Sequence, residues 1–385
     1  MIKKILLWIA LAYILFIAVG VTLLYFGKIE RYYFFPGFSV KYKIKQKGIV
    51  STDGPIIYYR NAKTLSKAIY GTGNSAIISL DTLTSRKASC MSFQTGEKFD
   101  IDLKDSLSIE KDNYTLPDKM LVLSDIEGNF KGLKMILQGT KVINNQFNWT
   151  FGEGHLVLLG DFFDRGTDVA ACLWLVYRLE EQAIKAGGKV HFLLGNHEIM
   201  NLTGKLHYLN NRYKANADTL GLNYEQFYDN NSELGRWLRT KNVVEKIGDV
   251  LVLHAGLSPE MVSKKLPLTT INSIVRKAID KKAESFLEVE KLVMGEKGPF
   301  WYRGLAQEEV RQGELEQFLA QYKASTIVMG HTILGQIKTI YQGRGIAIDL
   351  EHQKNSDKAV MQALWRQGNK FYVVNQDNKL NEISN

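Results

Sequence analysis

Five apolar runs in this chain each end abruptly in a short polar loop, and this repeated pattern limits the possible folds more than any other feature. The central run, residues 156–166, reads LVLLGDFFDRG, so its apolar part stops at Gly160 and Asp161. An apolar run that ends at turn residues is typical of a buried β-strand. The polar side chains should therefore lie on loops at the carboxyl ends of strands, which is where α/β sheets carry their chemistry.

The other four runs bring similar polar side chains to their ends. Carboxylate, amide and imidazole groups are ligands that divalent metal ions take in proteins. One such loop would mean little, whereas five in one chain predict a metal centre. The four runs are residues 120–124 before Asp125 and Glu127, residues 189–194 before Asn196 and His197, residues 250–253 before His254, and residues 326–329 before His331.

Helical stretches separate these runs, and the last part of the chain returns to strands. Alternation of strands with helices, followed by further strands, favours an α/β class with an α+β sandwich, in which two packed mixed β-sheets are flanked by helices. We assign this domain to residues 119–376, followed by a polar tail at 377–385 that we expect to be frayed. Helices are predicted at residues 130–138, 169–186 and 307–322, helical insertions at about 200–240 and 259–294, and the final strands within 337–374.

An uncharged apolar run, residues 5–26, follows Lys3 and Lys4 at the start of the chain. About 20 such residues cross a bilayer as a helix, so residues 1–27 are predicted to be a transmembrane anchor. A cleaved signal peptide is the alternative, but its apolar region usually has only about 7–15 residues. Basic residues after the run favour a cytoplasmic domain, yet a long carboxyl-terminal domain can cross regardless of charge. We therefore expect a single-pass membrane protein whose large domain lies outside the cytoplasm.

Residues 28–118 separate the anchor from the large domain and show no evident chemistry. Val40 and Tyr42 alternate with lysines, and Phe99 and Ile101 alternate with aspartates, which is typical of half-buried strands. We predict a juxtamembrane region followed by a small β-rich segment. The formal net charge of +9 is partly concentrated near the N-terminus, and we interpret it as attraction to a membrane surface. Nucleic-acid binding has no motif in its favour.

The polar loops together predict two divalent metal ions that share one carboxylate. Neighbouring ions polarise a phosphoryl oxygen and turn a shared water into a nucleophile when a bridging carboxylate holds them about 3.5–4 Å apart. Asp161 is placed to be that bridge. Mixed carboxylate, amide and imidazole ligands suit manganese, iron or zinc, of which we favour manganese. The first ion would be bound by Asp125 and Glu127, and the second by Asn196, His254 and His331.

Four further polar residues have roles in such a reaction. His197, beside Asn196, could protonate the leaving-group oxygen, and Asp164 could hold its imidazole in the correct orientation. Arg165 and Arg303 could bind the phosphate bidentately as its charge redistributes. No side-chain nucleophile is then needed.

The motifs also resemble those of a known family. They read, in order, DxxGN, GDxxDRG, GNHE, HAG and GHT, which resembles the calcineurin-like metallophosphoesterases of the phosphoprotein phosphatase type. The WYRG and GHTI segments look most like the bacterial Shewanella-like branch. The resemblance, over roughly residues 119–350, implies the sandwich fold, two metal ions, direct attack by metal-bound hydroxide and the residue roles given above. It also implies phosphomonoester substrates, with phosphotyrosine as plausible as phosphoserine or phosphothreonine in proteins, or a small phosphomonoester.

One position departs from the family pattern. The first motif normally reads DxHG, and Glu127 stands where that histidine ligand would be. An additional carboxylate makes the centre more neutral and should make it a weaker Lewis acid. Our hypothesis is that Glu127 still binds metal and shifts the preference towards manganese or iron. A surface acid that binds nothing is the alternative.

Two other functions stay open. A dinucleoside polyphosphate hydrolase of the same fold usually lacks the aspartate before the arginine in the second motif, so Asp164 argues against it. A catalytically silent, membrane-tethered binding protein has no reason to keep His197 and Arg303. Residues 210–239 are predicted to cover the site and to help choose substrates. His352 could support a metal ligand indirectly, whereas the default for His155, His191 and His207 is a structural or solvated side chain.

Overall fold

The computed structural model describes residues 2–25, 31–35, 38–41 and 48–383. The chain divides into two compact units, Met1–Gly48 and Ile49–Asn385. The first unit contains helix α1 (Ile2–Tyr25) and a hairpin of strands β1 (Arg31–Phe35) and β2 (Phe38–Lys41).

Helix α1 has the length and composition that a membrane span requires. Its segment Lys3–Leu24 is long and apolar enough to cross a bilayer, a property that signal sequences share. In the hairpin, Val40 pairs with Tyr32, so the start of the predicted alternation does lie in a strand. The remainder of that alternation, from Tyr42 onward, lies outside the described residues, as does the predicted end of the anchor at 26–27.

Strands and helices alternate through most of the second unit. The strands are β3 (Ser51–Arg60), β4 (Lys63–Thr72), β5 (Ile77–Thr82), β6 (Lys87–Met91), β7 (Lys98–Asp102), β8 (Asn113–Tyr114), β9 (Lys119–Leu123), β10 (His155–Leu158), β11 (Lys189–Phe192), β12 (Val244–Ile247), β13 (Val250–Leu253), β14 (Thr326–Met329), β15 (Lys338–Ile340), β16 (Gly345–Ala347), β17 (Gln362–Gln367), β18 (Lys370–Asn375) and β19 (Leu380–Glu382). The helices are α2 (Phe130–Gly139), α3 (Val169–Lys185), α4 (Asn196–Leu202), α5 (Asn211–Thr219), α6 (Glu233–Leu238), α7 (Pro259–Ser263), α8 (Leu268–Ala278), α9 (Glu288–Met294), α10 (Gln312–Gln321) and α11 (His352–Asp357).

Two mixed six-stranded sheets form the centre of this unit, with strand orders β11-β10-β9-β17-β18-β19 and β15-β16-β14-β13-β12-β8. Because successive side chains of a strand point to opposite faces, each buried strand contributes side chains to two layers of the core. Val122 of β9 packs in one cluster with Val252 and Val328 of the other sheet. Leu121, its neighbour on β9, instead joins the cluster that contains helix residues such as Leu133. The predicted sandwich of two packed sheets flanked by helices is therefore confirmed.

The parallel strands bring their carboxyl ends to common edges. Strands β9, β10 and β11 are parallel and in register, and β13, β14 and β16 are parallel in the second sheet. Hydrogen bonds beyond the strands join the loops that follow, since Asp125 N donates to Gly160 O at 3.0 Å and Gly330 N donates to His254 O at 2.8 Å. The five polar loops consequently lie next to one another.

The β-rich segment packs onto the large domain within the same unit. It contains a three-stranded sheet, β3-β4-β5, and the hairpin β6-β7. Phe99 and Ile101 of β7 are buried, as their alternation with aspartates predicts. Phe99 stacks on Phe130 with ring centroids 6.0 Å apart, and Trp174 Nε1 donates to Pro55 O at 2.9 Å. Aromatic burial thus joins the segment to helices α2 and α3.

Three local predictions were wrong. Helix α10 begins at Gln312 rather than at residue 307. Helix α11 interrupts the predicted strand region, because His352 and Ser356, one helical turn apart, bury one face of a polar stretch. Strand β19 lies within the predicted polar tail and pairs with β18. Its side chains are exposed, and an edge strand needs backbone hydrogen bonds more than apolar side chains, so hydropathy does not reveal it.

Candidate active site

Four side chains from four loops converge at the position predicted for the second metal ion. His254 Nε2 lies 2.9 Å from Asn196 Oδ1, 3.1 Å from His331 Nδ1 and 3.2 Å from Asp161 Oδ2. The other ring nitrogen of His254, Nδ1, lies 2.7 Å from the carbonyl of Leu159. That carbonyl only accepts hydrogen bonds, so Nδ1 carries a proton and Nε2 is directed at the cluster.

The buried carboxylates around His254 favour a positive charge at this position. Burial opposes protonation of His254, but the carboxylates of Asp161 and Asp125 outweigh it and raise its pKa to about 10. A divalent cation satisfies the same demand and displaces that proton. The atoms around Nε2 are carboxylate, amide and imidazole donors, so these residues could hold a transition-metal ion.

The first predicted metal position is richer in carboxylates. Asp125 Oδ2 accepts hydrogen bonds from the Ser124 hydroxyl and from His331 N. Glu127, Asp161 and His197 each offer an atom within 4.8 Å of the others. Burial raises the pKa of Asp125 to about 6, and burial also raises that of Glu127 to about 7. These carboxylates could hold a cation, and they repel one another without it.

Glu127 also forms an ion pair with Arg165, one of the two arginines expected to bind phosphate. The Arg165 guanidinium lies over the Tyr208 ring, 5.7 Å from its centroid. The other arginine, Arg303, donates to the carbonyl of His331 at 2.5 Å and to Thr332 Oγ1 at 3.1 Å. Both guanidinium groups therefore contact loops that carry candidate ligands, and both residues are exposed to solvent.

His197 is held between the cluster and a buried carboxylate. Its Nδ1 lies 2.6 Å from Asp164 Oδ2, and its Nε2 lies 3.8 Å from Asp161 Oδ2. Burial lowers the pKa of His197, but Asp161 and Asp164 outweigh it and raise that pKa to about 9. The contact with Asp164 favours the protonated imidazole, which could donate its proton from Nε2. Asn201 Nδ2 also donates to Asp164 at 3.0 Å, a contact that the sequence analysis missed.

The loop that carries Asp161 and Asp164 is not helical. Asp161, Asp164 and Arg165 have φ angles of 56°, 68° and 50°, a region that non-glycine residues occupy rarely. Buried Glu198, for which the sequence analysis gave no role, fixes this conformation. It accepts hydrogen bonds from the backbone N–H groups of Gly195, Asp161 and Phe162, each at 2.7 Å. One carboxylate thus ties the second and third polar loops together.

The turn between β6 and β7 holds the loops of the first and second motifs. Asp168, which follows the second motif, accepts from Ser92 Oγ at 2.6 Å and from the N–H groups of Phe93 and Gln94 at 2.8 Å. The Gln94 amide donates to Gly128 O at 3.2 Å and to Thr167 Oγ1 at 3.1 Å. The β-rich segment, predicted to have no evident chemistry, therefore contacts the residues next to the candidate ligands.

We expect Gln94→Ala to lower kcat roughly tenfold, because small displacements of catalytic groups have large effects on rate. Gln94 is only half-buried, so the melting temperature and KM should change little. The matched control is Gln312→Ala on α10, whose amide donates to the exposed Glu316. Steady-state kinetics and thermal unfolding of both variants measure the effect. If Gln94→Ala and Gln312→Ala have the same kcat, the turn contributes to the fold but does not position the catalytic groups.

The remaining histidines lie elsewhere or play no visible part. His155 and His191 form a buried cluster with Glu245, in which His191 Nδ1 lies 2.6 Å from Glu245 Oε2 and Nε2 lies 3.0 Å from His155 Nδ1. His207 is exposed. His352 is buried, and its ring faces the backbone of Ser124, next to Asp125.

Comparison with known proteins places this site in a family. The family described as calcineurin-like phosphoesterase matches residues 119–334. Shewanella-like protein phosphatase 1 of Plasmodium berghei (strain Anka) is 28% identical over 236 residues, which are 57% of this chain and 63% of that protein. The chain thus covers less than two thirds of that relative. An uncharacterized protein of Schizosaccharomyces pombe is 32% identical over 231 residues, 56% of this chain and 67% of that protein.

A solved structure extends the similarity to most of the chain. The cold-active protein-tyrosine phosphatase of a psychrophilic Shewanella species is 30% identical, with a TM-score of 0.80, and the match covers 87% of this chain and 100% of that one. The relatives therefore include bacterial and eukaryotic proteins. The chain belongs to the calcineurin-like phosphoesterase family and carries the domain of a metal-dependent phosphoester hydrolase.

Proposed function

We propose that this protein is a dimetal phosphatase of the protein-phosphatase type that hydrolyses phosphomonoesters. The observation that supports this most strongly is the convergence of Asp161, Asn196, His254 and His331, with the His197–Asp164 pair directed at the same cluster. Metal-binding and proton-donating groups within a few ångströms of each other are what hydrolysis of an unreactive phosphoester needs.

Different groups would have different roles in the reaction. Bound divalent ions would polarise the phosphoryl oxygens and lower the pKa of a coordinated water. His197 would protonate the leaving-group oxygen through Nε2, while Asp164 fixes the ring through Nδ1. Arg303 and Arg165 would bind the phosphate oxygens, Arg165 after exchanging its ion pair with Glu127 for the substrate.

Phosphorylated serine, threonine or tyrosine residues of proteins are the proposed substrates, with small phosphomonoesters as a simpler possibility. The name of the Shewanella structure, a protein-tyrosine phosphatase, supports the inclusion of phosphotyrosine. Asp164 supports a monoesterase over a dinucleoside polyphosphate hydrolase, as its position in the second motif indicates.

The test is a comparison of substrates with the full chain after loading with manganese. We expect turnover of p-nitrophenyl phosphate and of phosphotyrosine or phosphoserine peptides to exceed that of diadenosine tetraphosphate. Faster hydrolysis of diadenosine tetraphosphate would favour the alternative enzyme. Complete inactivity of protein shown to contain two metal ions would instead favour a binding protein that has kept the fold.

The proposed metals are two divalent ions, with manganese favoured over iron or zinc, and Glu127 is the ligand that departs from the family. We expect Glu127→Ala to retain about one ion instead of two, because it removes a carboxylate from the first position. Elemental analysis of the purified variant measures this directly, with Glu260→Ala as an exposed-acid control. A full metal complement in Glu127→Ala would show that Glu127 only pairs with Arg165.

We further propose that α1 anchors the protein in a membrane and that the large unit lies outside the cytoplasm. The length and apolarity of α1 support the anchor. Extraction of membranes with alkaline carbonate should leave the intact chain in the pellet, and protease added to intact cells or spheroplasts should digest the large unit. Release of a shortened, soluble chain would identify a cleaved signal sequence instead.

A further inference from the structure

Asp349 occupies a place in the fold equivalent to those of the predicted metal ligands. Strands β13, β14 and β16 are adjacent and parallel, and the chain continues from them to His254, His331 and Asp349. Ile348 N donates to Met329 O at 2.8 Å, which extends the pairing of β16 with β14 to the residue before Asp349. Residues 345–348 (GIAI) are thus a sixth apolar run that ends in a potential ligand.

The carboxylate of Asp349 is buried and has no protein partner in the described part of the chain. Asp349 is only 4% exposed, and neither a hydrogen bond nor an ion pair reaches its side chain in residues 48–383. A buried carboxylate without compensation is strongly unfavourable. Such a buried carboxyl group is either protonated or compensated by a cation, and a metal ion bound nearby would supply that compensation.

The groups that interact with Asp349 electrostatically belong to the predicted metal cluster. They are the carboxylates of Asp125, Asp161 and Glu127, which repel it, and the imidazole of His254, which attracts it. Four carboxylates from three loops are thus gathered in one buried region. Mutual repulsion of this kind is relieved by a divalent cation bound among the oxygens.

We propose that Asp349 is a ligand of the first metal ion, a role that rests on the dimetal site proposed above. The first position then consists of carboxylate oxygens alone, from Asp125, Glu127, Asp161 and Asp349. The second position combines oxygen with the nitrogens of His254 and His331. Oxygen-only sites suit hard ions such as manganese and magnesium, whereas imidazole suits zinc and iron. The two positions consequently select different metals.

This assignment also accounts for the departure at Glu127. Where the family pattern places a neutral imidazole, this chain places a carboxylate that pairs with Arg165. A further ligand from β16 would supply the first ion with an oxygen in addition to that of Glu127, whose carboxylate is shared with Arg165. Glu127 and Asp349 together would then take the place of the imidazole in the family pattern.

The experiment measures metal binding by the full chain in the absence of substrate. Protein stripped of metal is loaded with one equivalent of zinc and titrated with manganese, and bound manganese is followed by electron paramagnetic resonance. We expect wild-type protein to bind one zinc and one manganese ion. Asp349→Ala should bind manganese at least tenfold more weakly and keep its zinc, with elemental analysis as the check.

The control is Asp357→Ala, an exposed acid eight residues later on α11 that pairs with Lys131 at 3.5 Å, and it should bind both ions like wild type. If Asp349→Ala does not fold, the nearly isosteric Asp349→Asn takes its place and should also weaken manganese binding. Unchanged manganese affinity in a folded Asp349 variant overturns the proposal, as does a wild-type chain that binds only zinc. Wild-type protein that binds both ions but hydrolyses no phosphoester would refute the proposed function and leave this inference intact.

Discussion

Replacement of His197 by asparagine is expected to lower kcat on a phosphoserine peptide by roughly 10²–10⁴-fold, the usual contribution of a general acid. The serine alkoxide is a poor leaving group and needs the proton that His197 holds between Asp164 and Asp161. p-Nitrophenyl phosphate releases a much more acidic alcohol, so its hydrolysis should slow far less. Steady-state kinetics on the two substrates therefore distinguish proton donation from a general loss of structure.

The matched control for this variant is His207→Asn, an exposed histidine ten residues later, which should leave both rates unchanged. Elemental analysis of both variants should show the wild-type metal content, because His197 is not among the proposed ligands. An equal loss of kcat on the two substrates, or a loss of metal, would contradict the role of His197 as the acid.

The positions of the polar loops could be predicted because strand periodicity is a local property of the sequence. Strands β13 and β14 have the bounds expected from their apolar runs, and β9, β10 and β11 differ from theirs by only one or two residues. Since parallel strands in register end at one edge, the side chains after them had to meet. His254 and Asn196 are 58 residues apart in sequence and 2.9 Å apart in space.

Contacts between distant polar residues could not be predicted in this way. Asp168 and Ser92 are separated by 76 residues, and neither periodicity nor spacing relates an aspartate after one strand to a turn in another sheet. The ion pair between Glu127 and Arg165 is a similar case. The signal for Asp349 was present, since an apolar run precedes it, but a strand ending in a single aspartate is weak evidence without the sheet order. Contacts of this kind can be predicted only when the order and pairing of the strands are known, which local sequence patterns do not give.

The largest effect on stability is expected for Lys241→Met, which should lower the free energy of unfolding by about 3–5 kcal/mol, the usual result of breaking a buried ion pair. The Lys241 side chain is 1% exposed, and its Nζ donates to Glu180 at 2.6 Å and to Glu110 at 3.0 Å. Methionine fills the volume but leaves buried Glu180 with one fewer cation. Urea unfolding at neutral pH, followed by far-ultraviolet circular dichroism, measures the difference.

The pH dependence of this difference separates lost charge from lost packing. Burial opposes ionisation of Glu110, but Lys241 and Lys189 outweigh it and lower its pKa from 4.5 to about 2. A carboxyl group with a depressed pKa stabilises the fold above the unfolded pKa of 4.5 and loses this contribution as the pH falls towards 2. The difference in free energy of unfolding between wild type and Lys241→Met should therefore become smaller as the pH falls from 4.5 towards 2. The control Lys297→Met breaks an exposed pair with Glu260 and should not change stability measurably. If the difference in free energy of unfolding does not depend on pH, the lower stability of Lys241→Met comes from lost packing of the lysine side chain and not from its charge.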